Sequence, residues 1–294
     1  MSVTELEKLN QELKQVPLEA DPTEVLRAKL QVASPSEFVT WLNLLIYGDP
    51  GAGKTYLGGT AEDDARTRPV LVIDIEGGTT TLRGWPGIDV VPVRSMPELE
   101  KLHGELYHSI KDGKIHYKTL MIDSLPELAD LDMRFIMKEA YSRNPEKVDK
   151  DVPSQREWGK SRVHIRAIVR AFRDLPCNTI FTAQVGMQQE EGQPTKYFPG
   201  FAGKLRTEVP GFCDIVGFLQ PEIDPITKGV VRRLQVQGTK RVVAKDRTSA
   251  LGGVVVDPTI PMLWDLIHNT AVPTSSDGVS INSDPSVTEG EVSD

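Results

Sequence analysis

Apolar positions in this chain fall into short dense runs separated by longer, spaced stripes. Val70-Leu71-Val72-Ile73-Asp74-Ile75 is almost continuously apolar, which marks a strand buried on both faces. Trp41–Tyr47, Val90–Val93, Thr119–Ile122 and Asn178–Ala183 read as further strands. Between them the period lengthens, predicting helices over Lys54–Arg66, Met96–Ile110, Leu125–Tyr141 and Gln155–Leu175. In the last helix Ile168, Ala171, Phe172 and Leu175 form an apolar stripe, while Arg162, Arg166 and Arg170 mark a face expected to be solvated. Trp158 reads as a packing residue. Strands alternating with helices predict an α/β fold with a mostly parallel sheet. Past Cys213 the pattern changes to short strands over Ile215–Leu219, Val230–Gln237 and Arg241–Lys245, with a last helix over Pro261–His268.

The ends differ from the middle. Leu6, Leu9 and Leu13 have helical spacing that Pro17 and Pro22 interrupt, and a short helix is expected over Val25–Leu30. We therefore divide the chain into an N-terminal arm (1–38), an α/β domain (39–270) and an acidic tail (271–294). The tail holds Asp277, Asp284, Glu289, Glu291 and Asp294, with no Lys, Arg or aromatic residue, and is expected to be disordered. The net charge of −8 over 294 residues comes mainly from the ends. The near-neutral middle leaves room for a local basic face, so the acidic total does not argue against nucleic acid. No apolar run reaches the ~18–20 residues of a membrane span, and no secretory leader is expected. Two cysteines and five histidines at no ligand spacing exclude a disulfide framework and a structural metal. Cys177 and Cys213 are expected to be small, half-buried residues in a reducing cytoplasm.

Gly48-Asp49-Pro50-Gly51-Ala52-Gly53-Lys54-Thr55 fits G-x-x-x-x-G-K-[ST] in full, between a predicted strand and a predicted helix. Glycines let backbone N–H groups close around phosphate oxygens. Lys54 is placed to reach the β- and γ-phosphates, and the Thr55 hydroxyl to bind Mg²⁺. The apolar strand Thr119–Ile122 ends in Asp123, which suits the second metal-directed group. A group must also orient the attacking water. Asp74 and Glu76, at the end of the Val70–Ile75 strand, both qualify by position.

Taken as an ordered set, these motifs resemble the RecA-like ATPases. The P-loop is followed by Asp74-Ile75-Glu76, by Asp123-Ser124, by a strand ending near Gln184, and by Lys245-Asp246-Arg247. The resemblance covers residues 40–250 and is nearest to small phage-encoded RecA-like annealing and recombination ATPases. It implies a P-loop core of mostly parallel strands flanked by helices, followed by antiparallel strands. It implies that Glu76 rather than Asp74 orients water, and that Gln184 reads the γ-phosphate of ATP. Lys245 and Arg247 would enter a neighbouring subunit's site, which requires a ring or filament of identical chains. It also implies two DNA-directed segments. One is Ser142–Ser161. The other is Gly186–Arg206, where Lys196, Lys204 and Arg206 alternate with Tyr197, Phe198 and Phe201, cations for phosphates and rings for bases. The function implied is a Mg²⁺-dependent ATPase acting on single-stranded DNA in annealing or recombination. A single-strand-binding protein or another replication protein would be its partner, in the cytoplasm of a phage's bacterial host. The alternatives are a DnaB-like helicase or translocase, an AAA+ protein, and an ATP-gated DNA-binding scaffold. The strand-rich C-terminal region argues against the helical lid of AAA+ chains.

Overall fold

The computed structural model describes residues 21–30, 41–114, 117–189 and 191–269. Helix α1 (Pro22–Leu30) lies in one compact unit, residues 1–41, and every other element in a second, residues 42–294. The expected helix around Leu6–Leu13 and the acidic tail after Thr270 lie outside the described residues.

The second unit is built on a ten-stranded sheet. Its first strands are β1 (Asn43–Gly48), β2 (Val70–Asp74), β3 (Asp89–Pro92), β4 (Thr119–Asp123) and β5 (Asn178–Gln188). These are followed by β6 (Lys196–Pro199), β7 (Ile215–Ile223), β8 (Val230–Gln235), β9 (Lys245–Asp246) and β10 (Val254–Val256). Neighbouring strands run in the order β10-β8-β7-β1-β5-β4-β2-β3, with β6 beside β5 and β9 beside β7. From β7 to β3 every pairing is parallel. The pairings of β6, β8, β9 and β10 are antiparallel. The mostly parallel sheet is the architecture that the alternation predicts, and the antiparallel C-terminal strands are those that the resemblance implies.

Continuous apolar runs are needed because both faces of the sheet are covered. Leu45, Tyr47, Leu71, Ile73, Leu120 and Ile122 point into one core layer. Their alternates Leu44, Ile46, Val70, Val72 and Met121 point into the other, as the two-residue period of a strand requires. The first layer is closed by α3 (Met96–Lys111), α4 (Leu125–Arg143) and α5 (Gln155–Arg173). Ser95 caps α3 by accepting from the Glu98 amide, and Ser154 with Glu157 makes a reciprocal capping box on α5. The second layer is closed by α2 (Lys54–Gly59) and α7 (Ile260–Asn269).

Four local expectations need correction. The helix expected to reach Arg66 ends at Gly59 and tightens into a 3₁₀ turn over Thr60–Asp63. Gly58 and Gly59 weaken the helix, yet a side chain at either would strike Met121 or Leu82 and Trp85. The strand expected over Arg241–Lys245 shrinks to the two residues of β9. The segment Gly186–Arg206 is not one long loop. Strand β5 runs on to Gln188 and pairs with β6 as a hairpin, and α6 (Leu205–Phe212) follows. Arg162 and Arg166 are not simply solvated either. They stand 4.0 and 3.7 Å from Glu208 on α6, and Arg170 lies over the Phe212 ring at 4.3 Å.

Both cysteines are fully buried rather than half-buried. Burial pushes the thiols of Cys177 and Cys213 each up to about 12, so neither forms a thiolate near neutral pH. A colorimetric thiol titration at pH 8 is expected to find both unreactive in the native protein and both reactive in denaturant. Fast native labelling of either would contradict this packing.

Candidate nucleotide site

The P-loop follows β1, whose neighbours are β5 and β7, so the loop emerges from the middle of the sheet at the strands' C-terminal ends. Parallel sheets place ligands there. Gly51 and Gly53 have φ of 81° and 98°, conformations that side-chain-bearing residues rarely adopt. The Ala52 amide donates to the Asp49 carbonyl at 3.1 Å, and α2 opens with the Leu57 amide on Gly53 at 2.8 Å. Lys54 is folded back along the loop, its Nζ donating to the carbonyls of Gly48 and Asp49, each at 3.0 Å. Burial pulls the Lys54 pKa down, opposed by the charges of Glu76, Asp123 and Asp49. An ammonium held only by carbonyls is ready to exchange them for phosphate oxygens.

Strand register brings the remaining groups to the loop. Asp123 lies level with Asp74 across β4 and β2, and Gln184 level with Gly48 across β5 and β1. The Asp123 carboxylate is buried. Its Oδ2 accepts from the Thr55 hydroxyl at 2.8 Å and its Oδ1 from the Thr182 hydroxyl at 2.5 Å. Burial raises the Asp123 pKa, while those two hydroxyls and Lys54 oppose the rise. Thr55 and Asp123 thus present two hard oxygen donors side by side, suited to a divalent cation that completes its shell with phosphate and water. Among the described residues no three His, Cys, Asp or Glu side chains form a metal cage.

Glu76 and Asp74 separate cleanly. The Ile75 and Glu76 amides both donate to the Asp123 carbonyl, at 2.8 and 3.1 Å, which ties the turn to the metal-directed strand. Glu76 is exposed and lines a cavity of about 280 Å³ with Lys54, Thr55, Asp123 and Gln184. Asp74 is buried, and its Oδ1 accepts from the Gly77 amide at 2.6 Å. Arg94 closes on it as well, donating to its carbonyl at 2.7 Å. Asp74 shapes the turn; Glu76 faces the cavity.

Sequence reasoning missed three residues that also line this cavity: Tyr56, Thr81 and Arg232. Tyr56 directly follows the motif and was open to notice. Arg232 is 177 positions beyond Thr55, and nothing in its local pattern marks it.

Other sequence-predicted residues lie elsewhere. Lys245 and Arg247 are not brought to the cavity. They sit by Asp214 and Val216, at the end of β7 away from the P-loop. Lys245 donates to the Pro210 carbonyl at 2.7 Å. Arg247 pairs with Asp214 at 2.9 Å and donates to the Gly211 carbonyl at 3.0 Å. Both cations therefore satisfy the last carbonyls of α6, a favourable end for positive charge.

The stacking rings expected on Gly186–Arg206 are corrected. Phe198 and Phe201 are each only 5% exposed and sit in the core. Tyr197 is stacked on Phe218, ring centroids 5.4 Å apart. The two phenylalanines therefore offer no free face to a base, and one face of Tyr197 is taken by Phe218. Lys196 and Lys204 are exposed. Arg206 lies over Phe198 at 4.2 Å and donates to the Gln188 side chain at 2.7 Å. Trp158, expected to be packed, is instead 49% exposed. It lines a groove of about 730 Å³ with Arg162, Phe201 and Lys204.

No curated protein matches the sequence. Among solved structures, the RadB recombinase is similar at 13% identity with a TM-score of 0.38, over 74% of this chain and 88% of that one. The flagellar accessory protein FlaH from Methanocaldococcus jannaschii is similar at 10% identity with a TM-score of 0.36, over 74% and 89%. A family described as AAA domain matches residues 41–248. That span runs from β1 to just past β9, and takes in the P-loop with every residue that lines the nucleotide cavity. The end of the matched span holds the antiparallel strands β8 and β9. On the extent of that match, the chain belongs to this AAA-domain family of P-loop proteins.

Proposed function

We propose that the chain is a Mg²⁺-dependent ATPase of RecA-like type that works as an oligomer on single-stranded DNA, in annealing or homologous recombination. The observation that carries the reading is the convergence of Lys54, Thr55, Glu76, Asp123 and Gln184 on one cavity. Lys54 releases its two loop carbonyls and neutralises charge on the β- and γ-phosphates. The Thr55 hydroxyl and the Asp123 carboxylate would hold Mg²⁺, which would supply neutralisation of phosphate charge. Glu76 orients the attacking water and accepts hydrogen bonds from it.

Gln184 reads the γ-phosphate. Its carbonyl accepts from the Gly200 amide at 2.7 Å, so its state reaches the turn that carries Phe201 and Lys204. The DNA side of the reading rests on the exposed Lys196 and Lys204, with Arg206 beside them. The exposed Trp158 replaces the buried phenylalanines as the ring available for stacking. For Lys245 and Arg247 to complete a neighbour's site, they must exchange the α6 carbonyls and Asp214 for phosphate oxygens. Such an exchange makes activity depend on assembly.

The test is ATP turnover with and without single-stranded DNA, at protein concentrations that span assembly. Stimulation by single strands that grows with protein concentration is expected. Turnover indifferent to DNA would remove the nucleic-acid role and leave a nucleotide-gated scaffold.

A further inference from the structure

Consecutive arginines on β8 have opposite fates. Arg233 pairs outward with Glu222 at 2.6 Å. Arg232 points the other way, into the nucleotide cavity. Among the described residues its guanidinium meets no carboxylate. Its Nε donates to the Ala52 carbonyl of the P-loop at 3.3 Å, and the group stands over the Tyr56 ring at 5.5 Å. Gly53 makes this approach possible, because a Cβ there would lie 2.5 Å from the Arg232 Nε. The backbone is held firmly. The Arg232 amide donates to Asp257 Oδ1 and its carbonyl accepts from the Asp257 amide, both at 2.7 Å.

A half-buried guanidinium in a phosphate-sized cavity, fixed at one nitrogen and lacking an anionic partner, is an anion-binding group. In the reading above, the γ-phosphate end of the cavity is served by Lys54, Glu76 and Gln184. Arg232 instead contacts Gly53 and Tyr56, on the flank of the loop where α2 begins. We infer that Arg232 is a nucleotide-binding residue acting within its own chain, and that it holds the part of the polyphosphate common to ADP and ATP. Nucleotide would therefore be retained after hydrolysis through a contact made by the C-terminal antiparallel strands. The inference rests on the ATPase reading above and adds to it a residue outside the motif set.

Binding of ADP and of ATP with Mg²⁺, measured by calorimetry, tests it with Arg232→Ala, Arg232→Lys and Lys54→Ala beside the unchanged protein. One charge-assisted contact corresponds to about tenfold to a hundredfold in affinity. Arg232→Ala is expected to weaken ADP and ATP by the same factor within that range. Arg232→Lys, which keeps the charge and loses the fork, should fall between. Melting of each variant without nucleotide checks that it folds. Unchanged ADP affinity in a folded Arg232→Ala overturns the assignment, as does a loss confined to ATP. If the unchanged protein binds neither nucleotide, or Lys54→Ala binds both normally, the ATPase reading itself falls.

Discussion

Replacing Glu76 by Gln is expected to lower ATP turnover by about 10²–10⁴-fold, the range for removing a positioned base, while ATP still binds. Gln keeps the size and hydrogen-bonding reach of Glu but cannot take up the developing positive charge on the attacking water. The loop amides and Lys54 are untouched by this change, so the nucleotide is trapped unhydrolysed. Filter binding of radiolabelled ATP with single-turnover kinetics reads both quantities. Asp74→Asn is the informative contrast. Asp74 holds the Gly77 amide and faces Arg94, so its loss should loosen the turn and lower stability before it alters chemistry. Full turnover in Glu76→Gln would transfer the water-orienting role to another group.

Phe218→Ala is expected to destabilise the protein by about 3–5 kcal/mol, the range for emptying a buried aromatic site. Phe218 is 1% exposed. It stacks between Tyr47 on β1, at 4.9 Å, and Tyr197 on β6, at 5.4 Å. Such ring pairs add about 0.5–1.5 kcal/mol each beyond the area they bury. The stack also orients Tyr47, whose hydroxyl donates to the Val243 carbonyl at 2.8 Å. Removing the middle ring therefore loosens the contact of β6 with β1, while the parallel pairing of β5 with β1 remains. Phe218→Leu, which keeps most of the volume, should cost less than half as much. Equilibrium denaturation by urea measures both. A loss below about 1 kcal/mol for the alanine variant would mean that the neighbours collapse into the site and the stack is not a support.

Much of this molecule was legible before any coordinates. Strands β1, β2, β4 and the first part of β5 announce themselves because a strand covered on both faces must be apolar at nearly every position. Val70–Ile75 shows this directly. The edge strand β3, by contrast, is largely exposed. The P-loop was legible because its motif is contiguous: all of its residues lie within eight positions. Asp123 was legible because it ends a strand of the same kind. Elsewhere the local pattern misled. Gly186–Arg206 looked like an open basic-aromatic loop, yet Gly186 leaves the space that the Phe198 ring fills, and a Cβ there would lie 2.4 Å from that ring. A glycine-rich segment that forms a hairpin carries its apolar face on too few residues for a period to show.

Sequence alone determined the strand–helix alternation, the phosphate loop and the order of the acidic groups behind it, because each depends on neighbours in the chain. Only the tertiary structure buried Asp74 in the turn and left Glu76 facing the cavity. It alone buried the rings of Phe198 and Phe201, exposed Trp158, and set Lys245 and Arg247 on the end of α6. It alone turned Arg232 inward and Arg233 outward, because the antiparallel register of β7 and β8 fixes which alternate side chain faces the P-loop. Register between strands far apart in the chain is a property of packing, and no local period records it.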